Sequence, residues 1–431
     1  MRSLFTAKSL ISICALFLFA SHGNAIAGTL HYKNIIPGER ASGMGGAFSA
    51  IADDPSGILF NPAGLVFSQS DYLSLSVNAY QFGSQQYQDV FSNKDYSLDN
   101  ESLVPVFFGF TQQAGPGRFG FGVFVTDMQI IDQNDRIDGI SSETDQLYAI
   151  NRQLSNEVIQ YLAGPAYSLQ VHPSLTIGVT AFFGYGKEKF LDMQTAEFAP
   201  SDTGKYLIQN LYFKRQNYTF NPRFGMIFSP FSELSFSAVI SKGFYIDGSG
   251  EYRLLSTRGE EGSTLPPSPT GELSNDYRIA SSSNLYNRPI LPTEITFGMA
   301  YFANEVLTVA VDGNYYSSDA GYQGGGTIKP TWNLSIGTEL YIDPRVPLRA
   351  GVFTNRSNQP ALTEGLTDQA LSVNSIGLSF GGSLKSEGSS LSFTFIRTQG
   401  TGLGQILGGQ TAIQTVKQVQ TSIFFAGTYE L

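Results

Sequence analysis

The chain of 431 residues has one cysteine, Cys14, and three histidines, His22, His31 and His172. With no thiol beyond residue 14, a disulfide framework and thiol chemistry are excluded from the rest of the chain. So few cysteines and histidines cannot assemble a zinc-type ligand set. His31 sits near the start of the expected mature chain, and His172 falls in a turn sequence. Neither is placed to activate a serine. There is no EF-hand-type loop. The expectation is therefore not an enzyme, with no cofactor and no metal. No apolar run reaches eighteen residues, which excludes a helical membrane protein. Charge is scarce at 14% and tilted to acid, for a net charge of −10. That tilt argues against a nucleic-acid partner.

What is present is glycine and aromatic residues: Gly 46, Phe 33 and Tyr 22. Such a chain is too aromatic for disorder. Its first residues read as a cleavable leader, with Arg2 and Lys8 ahead of the apolar Leu10–Ala20 stretch and a small-x-small site at Ala25-Ile26-Ala27. Residues 1–27 are thus expected to be removed, taking the net charge to about −12 and the only cysteine with them. An exported, weakly charged chain rich in Tyr, Phe and Gly suits a membrane barrel.

Alternation carries that argument. In Leu175-Thr176-Ile177-Gly178-Val179-Thr180-Ala181 the odd positions are apolar and the even ones small or hydroxylic. Leu234–Ile240, Phe119–Val123, Leu334–Gly337, Ile376–Phe380 and Leu391–Phe395 repeat the pattern. A soluble sandwich would carry charge opposite its bulky face. Bulk on one face and small residues on the other fit strands with one side in lipid and the other in a lumen. Fourteen such runs extend from 71–83 to 412–430. Tight turns at Ala114–Gly117, Val171–Ser174, Ser229–Ser232, Ala303-Asn304, Asp343–Arg345 and Lys385–Gly388 alternate with long polar connections. Outer-membrane barrels combine short periplasmic turns, long external loops and an even strand number in this way. The expected fold is all-β: a transmembrane antiparallel barrel of about fourteen strands spanning 69–431, in the outer membrane and in contact with its lipid and lipopolysaccharide.

The longest expected external loops are 130–153, 187–205 and 247–288, the last with Pro266-Pro267-Ser268-Pro269. The second carries Phe190, Leu191, Met193, Ala196 and Phe198. Apolar residues there either form a ligand-capture surface or pack on neighbouring loops. Gly115, Pro116, Gly117, Gly120 and Gly122 make the start of the third strand a place for bending.

Residues 28–68 precede the barrel. They contain the Gly43-x-Gly45-Gly46 cluster, Asp53-Asp54-Pro55 and Asn61-Pro62-Ala63-Gly64. Without a βαβ setting or a P-loop lysine the glycines are not a phosphate loop. Glycine and alanine instead allow close packing inside a narrow tube, and the Asp and Asn side chains bond nearby amides. Such a segment, folded into a lumen, is a plug.

The combination Arg40-Ala41-x-Gly43-Met44-Gly45-Gly46-Ala47-Phe48, Ala52-Asp53-Asp54 and Asn61-Pro62-Ala63-Gly64-Leu65 resembles the N-terminal hatch of the FadL/TodX family of outer-membrane transporters. Leu291–Gly298 resembles the opening of a late strand in that family. The resemblance implies a monomeric fourteen-stranded barrel plugged by this hatch. Long-chain fatty acids are its first implied cargo and aromatic hydrocarbons an alternative, captured at external loops and released laterally through a gap at a strand kink. Gating is implied for Gly43, Gly45, Gly46, Asp53, Asp54, Asn61, Pro62, Ala63 and Gly64. The Gly-Met-Gly-Gly-Ala-Phe phrasing also resembles PorV-like shuttle proteins of a secretion system, whose partner is a protein.

Strand parity turns Phe124, Phe182, Phe302, Phe353 and Phe424 inward, either lining an apolar path or filling volume around the hatch. It also turns Arg223, Asp312, Glu339 and Arg349 inward. These charges either brace the barrel as an ion-pair cluster or offer an arginine to a fatty-acid carboxylate. The candidate ligand-binding set is Phe190, Leu191, Met193, Phe198, Phe182, Phe353, Arg223 and Arg349.

Overall fold

A computed structural model of the protein describes residues 31–68, 70–91, 94–138, 147–198, 206–259, 276–282, 289–320, 327–366, 369–406 and 411–431. Side chains at 77–79, 91, 104–105, 147–148, 198, 206–207, 256–259, 276–282 and 320 lie outside that description. So do the expected leader at 1–27 and the Pro266–Pro269 stretch.

The wall is a closed antiparallel barrel of fourteen strands. These are β1 (Tyr72–Phe91), β2 (Lys94–Ala114), β3 (Gly117–Asp138), β4 (Leu147–His172), β5 (Leu175–Phe198) and β6 (Tyr206–Phe231). Strand β7 comes in two pieces on either side of Gly243, Leu234–Lys242 and Phe244–Gly259, and both pair with β6. Strand β8 is likewise in pieces, Asp276–Ser282 and Thr293–Phe302, each paired with a piece of β7. Then follow β9 (Leu307–Tyr316), β10 (Thr331–Asp343), β11 (Val346–Asn355), β12 (Ser372–Ser386), β13 (Ser389–Gly404) and β14 (Gln414–Glu430). Strand β14 pairs with β1 and closes the wall. Among the described residues no helix is long and apolar enough to cross a membrane.

The expected turns hold. Gly115 and Gly388 take positive φ (61° and 70°), which a tight turn needs and glycine supplies without steric cost. At Ala303-Asn304 the Asn304 carboxamide oxygen accepts from the amides of Val306 and Leu307 at 2.9 and 2.8 Å. All these turns lie at one end of the barrel, together with both ends of the strand sequence. In-out alternation also holds. Ile376, Leu378 and Phe380 are exposed on the outer surface, while Ser375 and Ser379 are buried.

The opposite end differs from expectation. Strands continue through most of what the sequence suggested were loops: β3 runs to Asp138, β5 to Phe198, and the second piece of β7 to Gly259. Strands β4 and β6 are 26 residues each. The 187–205 stretch is thus largely strand. The physical reason is that lipid-facing bulk marked the strands in the sequence. That bulk stops where lipid stops, whereas backbone pairing continues into water.

The junction between β2 and β3 is interrupted. The β2–β3 ladder runs from Ala114↔Gly117 to Phe107↔Phe124 and goes no further. Strand β3 stays paired with β4 but shifts register between Val125 and Asp127. Strand β1 shifts register near Asn78, and Pro105 on β2 offers no N–H. Farther out, side chains rejoin the strands: Gln133 donates to the Ser97 carbonyl at 2.7 Å and Tyr96 to Asp135 at 2.6 Å. The bend expected at the glycines that open β3 is therefore found further along, at Phe124–Asp127. The ladder is regular across Gly120 and Gly122.

Candidate functional site

The segment from His31 to Ser68 packs inside the barrel. It contains two short helices, α1 (Glu39–Gly43) and α2 (Gly57–Phe60), and a 3-10 turn over Pro62–Phe67. Gly45 and Gly46 take φ of 64° and 80°, so the backbone reverses after α1.

Small wall residues are sockets for this segment. A Cβ built on Gly225 would lie 2.0 Å from the Asn61 carboxamide oxygen, and one on Gly351 would lie 2.4 Å from the Met44 carbonyl carbon. Inward hydroxyls meet its carbonyls: Thr180 donates to Ile58, Ser168 to Ala63 and Ser379 to Gly43, at 2.9, 2.9 and 2.8 Å. Asn61 is fully buried. It accepts from the Ala63 amide at 3.1 Å and donates to the Ser49 and Met226 carbonyls at 2.8 and 3.2 Å. One side chain thus ties two turns of the segment to β6. Pro62 and Ala63 sit in the socket at Gly178.

Charge fastens the other side. Asp53 pairs with Arg40, and Arg40 donates to Glu339 at 2.6 and 3.1 Å. Glu339 accepts from Arg349 at 2.7 Å, and Arg349 reaches Glu39 at 3.3 Å. Ser383 and Ser390 donate to Glu39 at 2.5 and 2.7 Å. The ion-pair cluster expected of Arg223, Asp312, Glu339 and Arg349 is corrected in membership, since Arg223 pairs with Glu294. Glu339 and Arg349 are paired, but Asp312 stands apart. It accepts from the amides of Phe48 and Ser49 at 3.0 and 2.9 Å and from the Ser49 hydroxyl at 2.8 Å. The sequence reading missed Glu39 and Arg40 as charged partners, because no strand parity applies to a plug. Asp54 bonds only locally, accepting from the Ser56 amide at 2.8 Å.

Beside the segment lies a cavity of about 290 Å³. Ile35, Ile36, Leu59 and Phe60 from the segment and Leu162 and Phe182 from the wall give it an apolar surface. Lys33, Arg215, Arg223, Glu188 and Glu294 give it charge. Arg223 pairs with Glu294 at 2.6 Å, and Arg215 pairs with Glu188. The Lys33 ammonium lines the cavity and donates to the Ser335 hydroxyl at 2.6 Å, and among the described residues it forms no ion pair. Sequence reading passed over Lys33. Its signal was a lone cation in an otherwise uncharged run, Gly28–Pro37.

An aromatic series leads from this cavity to the interrupted wall. Phe182 meets Phe124 edge-on at 5.7 Å, and Phe124 stacks on Phe107 at 4.7 Å. Phe107 and Phe124 are the last paired residues below the break. Thr126, just beyond, lines the cavity, and Asp127 accepts from the Asn34 carboxamide at 3.0 Å.

Of the candidate binding residues, Phe182 and Arg223 line the cavity. Phe353 is buried against the segment, under Gly45. Arg349 is buried in the ion chain. Phe190 faces inward farther up, stacked on Phe213 at 5.1 Å in a cluster with Tyr87, Tyr96, Leu98, Ile150 and Leu154. Leu191 and Met193 flank the inward Asp192, and Met193 is exposed on the outer surface. The Phe198 side chain lies outside the described residues.

No family model matches the sequence, and no curated protein does. Solved structures do match in shape. A Pseudomonas aeruginosa FadL homologue is 11% identical, with 93% of this chain and 99% of that chain covered at a TM-score of 0.60. The Pseudomonas putida toluene transporter TodX is 15% identical, with 92% and 98% covered at 0.64. The chain has the FadL/TodX fold. CymD, a monoaromatic hydrocarbon channel, is similar at 13% identity, with 92% and 98% covered and a TM-score of 0.59.

Proposed function

We propose that the protein is an outer-membrane channel through which hydrophobic small molecules diffuse, received in the 290 Å³ cavity and released laterally between β2 and β3. The observation that carries this reading is the aromatic series Phe182–Phe124–Phe107, which joins the cavity to the interrupted β2–β3 ladder. A water-filled pore has no use for a dry side exit. A greasy solute has one, because the lipid beside the wall is its more stable environment. The N-terminal segment acts as the hatch, fastened through Asn61 and the Arg40–Glu339–Arg349 chain.

Long-chain fatty acid is the first cargo to test. Lys33 supplies a cation for its carboxylate in the cavity, and Arg223 supplies a second one shared with Glu294. The cavity volume favours a second cargo. A dry cavity of about 150 Å³ already holds benzene, so 290 Å³ suits one aromatic ring or part of an acyl chain. The alternative of a protein-shuttling barrel would need neither cavity nor side exit.

The test is uptake of labelled oleate and of labelled toluene into proteoliposomes. Native protein is expected to speed one of them, and Pro62→Trp, which disturbs the hatch socket, to change that rate. Uptake of both at the rate of empty liposomes overturns the channel reading.

A further inference from the structure

Strand parity on β4, β5 and β6 places a second chemistry on the outside of the wall. Along β5 the outward positions are Leu175, Ile177, Val179, Ala181 and Phe183, then Tyr185, Lys187 and Lys189. Along β6, from the turn end, they are Phe228, Met226, Phe224, Pro222 and Phe220, then Tyr218, Gln216 and Lys214. From Leu175 to Tyr185 the strand rises roughly 26 Å along the barrel axis, at about 3.4 Å per residue and a tilt of about 40°. That is the height of a barrel's apolar band.

Tyrosines mark its upper edge. Tyr161, Tyr185 and Tyr218 form a row across three strands, with ring centroids 6.4 and 5.5 Å apart. Amphipathic rings in such a row sit at the level of lipid headgroups. Lys187 is about 5 Å higher and Lys189 about 10 Å higher on the same geometry.

Lys189 and Lys214 are direct cross-strand partners, the only such pair of cations among the described strand pairings. Like charges directly opposite destabilise a sheet. Each lysine also has a glutamate as its other cross-strand neighbour, Glu157 and Glu251. Both glutamates are engaged elsewhere. Glu157 accepts from Lys187 at 2.7 Å, and Glu251 accepts from Tyr212 at 3.0 Å and Arg253 at 3.4 Å. Asp247, level with the tyrosines, accepts from the Gly248 amide at 2.8 Å. Among the described residues neither Lys189 nor Lys214 forms an ion pair. In a chain of net charge −10, two facing lysines at headgroup height fit an anion between them.

We propose that the outer face of the β5–β6 junction binds a phosphate of an outer-leaflet glycolipid of the lipid A type, held between Lys189 and Lys214 above the tyrosine row. The proposal rests on the outer-membrane part of the function proposed above, with the extended end of the barrel facing outward. Acyl chains lie along the Phe183, Phe220 and Phe224 surface, and the tyrosines meet the sugar.

The experiment measures binding of bisphosphorylated lipid A, dephosphorylated lipid A and phosphatidylglycerol to the full-length protein in detergent. Native protein is expected to prefer bisphosphorylated lipid A over both others. Lys189→Gln with Lys214→Gln is expected to weaken that binding by about tenfold or more, and the double arginine variant to keep it. Equal affinity of the double glutamine variant, or equal binding of dephosphorylated lipid A, overturns the phosphate site. Equal binding of phosphatidylglycerol overturns the glycolipid assignment. Solute uptake by the double glutamine variant should match native, because neither lysine touches the cavity. Native protein that carries no solute but keeps lysine-dependent lipid A binding breaks the channel reading alone.

Discussion

The two sides of the barrel are built differently. From β11 to β13 the wall is regular: β11 pairs with β12, and β12 with β13, without a register shift. The N-terminal segment is fastened there by the buried chain Glu39–Arg349–Glu339–Arg40. From β1 to β3 the wall carries register shifts on β1 and β3 and a ladder that ends at Phe107↔Phe124. There, among the described residues, one hydrogen bond, Asn34–Asp127, joins the segment to the wall, and Ile58 packs against Gly120 and Gly122. Breaking a buried ion pair costs about 3–5 kcal/mol, and breaking one hydrogen bond to a carboxylate about 1.5–3 kcal/mol. The difference says which side stays fixed and which side can move.

Three of the next four substitutions probe that contrast, and Gly225→Ala probes the Asn61 socket on β6. The largest effect is expected from Thr126→Trp, which fills the passage between cavity and wall break. Uptake in proteoliposomes should fall more than tenfold while the protein still folds. Unchanged uptake would remove the β2–β3 exit. Next, Arg349→Met leaves Glu339 and Glu39 each short of a buried cation. Stability against urea should drop by about 3–5 kcal/mol, and a loss under 1 kcal/mol would show that the ion chain does not fasten the segment. Third, Gly225→Ala puts a methyl 2.0 Å from the Asn61 carboxamide oxygen. It should cost about 1–3 kcal/mol by overpacking, and Asn61→Ala in the same background should recover part of that. Fourth, Asp127→Ala frees the Asn34 side chain at a cost of about 1.5 kcal/mol, which corresponds to roughly a tenfold faster uptake if this bond limits opening. A slower rate would assign Asp127 to holding the exit open instead.

The smallest expected effect lies outside this contrast. Hydrogen bonds from Arg136 and then from Asn151 hold the Glu197 carboxyl below the usual glutamate range, out at the extended end. With the folded value depressed, any contribution is present at neutral pH and lost as pH falls through that value. Glu197 is exposed, so Glu197→Gln should leave both uptake and urea stability unchanged, from neutral pH down to about pH 5.

Strand number, turn positions and side-chain facing were legible because alternation is local. The run Leu175–Ala181 states which side of β5 faces lipid, and Asn304 states a turn. The hatch contacts were half legible. Asn61 reads as a capping residue, but its bond to Met226 joins positions 165 residues apart. Phe190 read as a loop residue because lipid-facing bulk ends near Tyr185, yet backbone pairing carries β5 on to Phe198. Lys33 was overlooked because nothing near it in the chain shows a cavity.

By itself the sequence determined a closed barrel, its in-out facing and a glycine-rich segment small enough to enter it. All of these follow from a period of two and from residue size, which neighbours along the chain dictate. Only the tertiary structure decided that Asp312 holds the segment's amides instead of joining Glu339 and Arg349. The same is true of the wall opening at Phe124–Asp127 and not at the glycines before it. Both depend on which distant groups arrive at hydrogen-bonding distance, and that is a property of the closed wall.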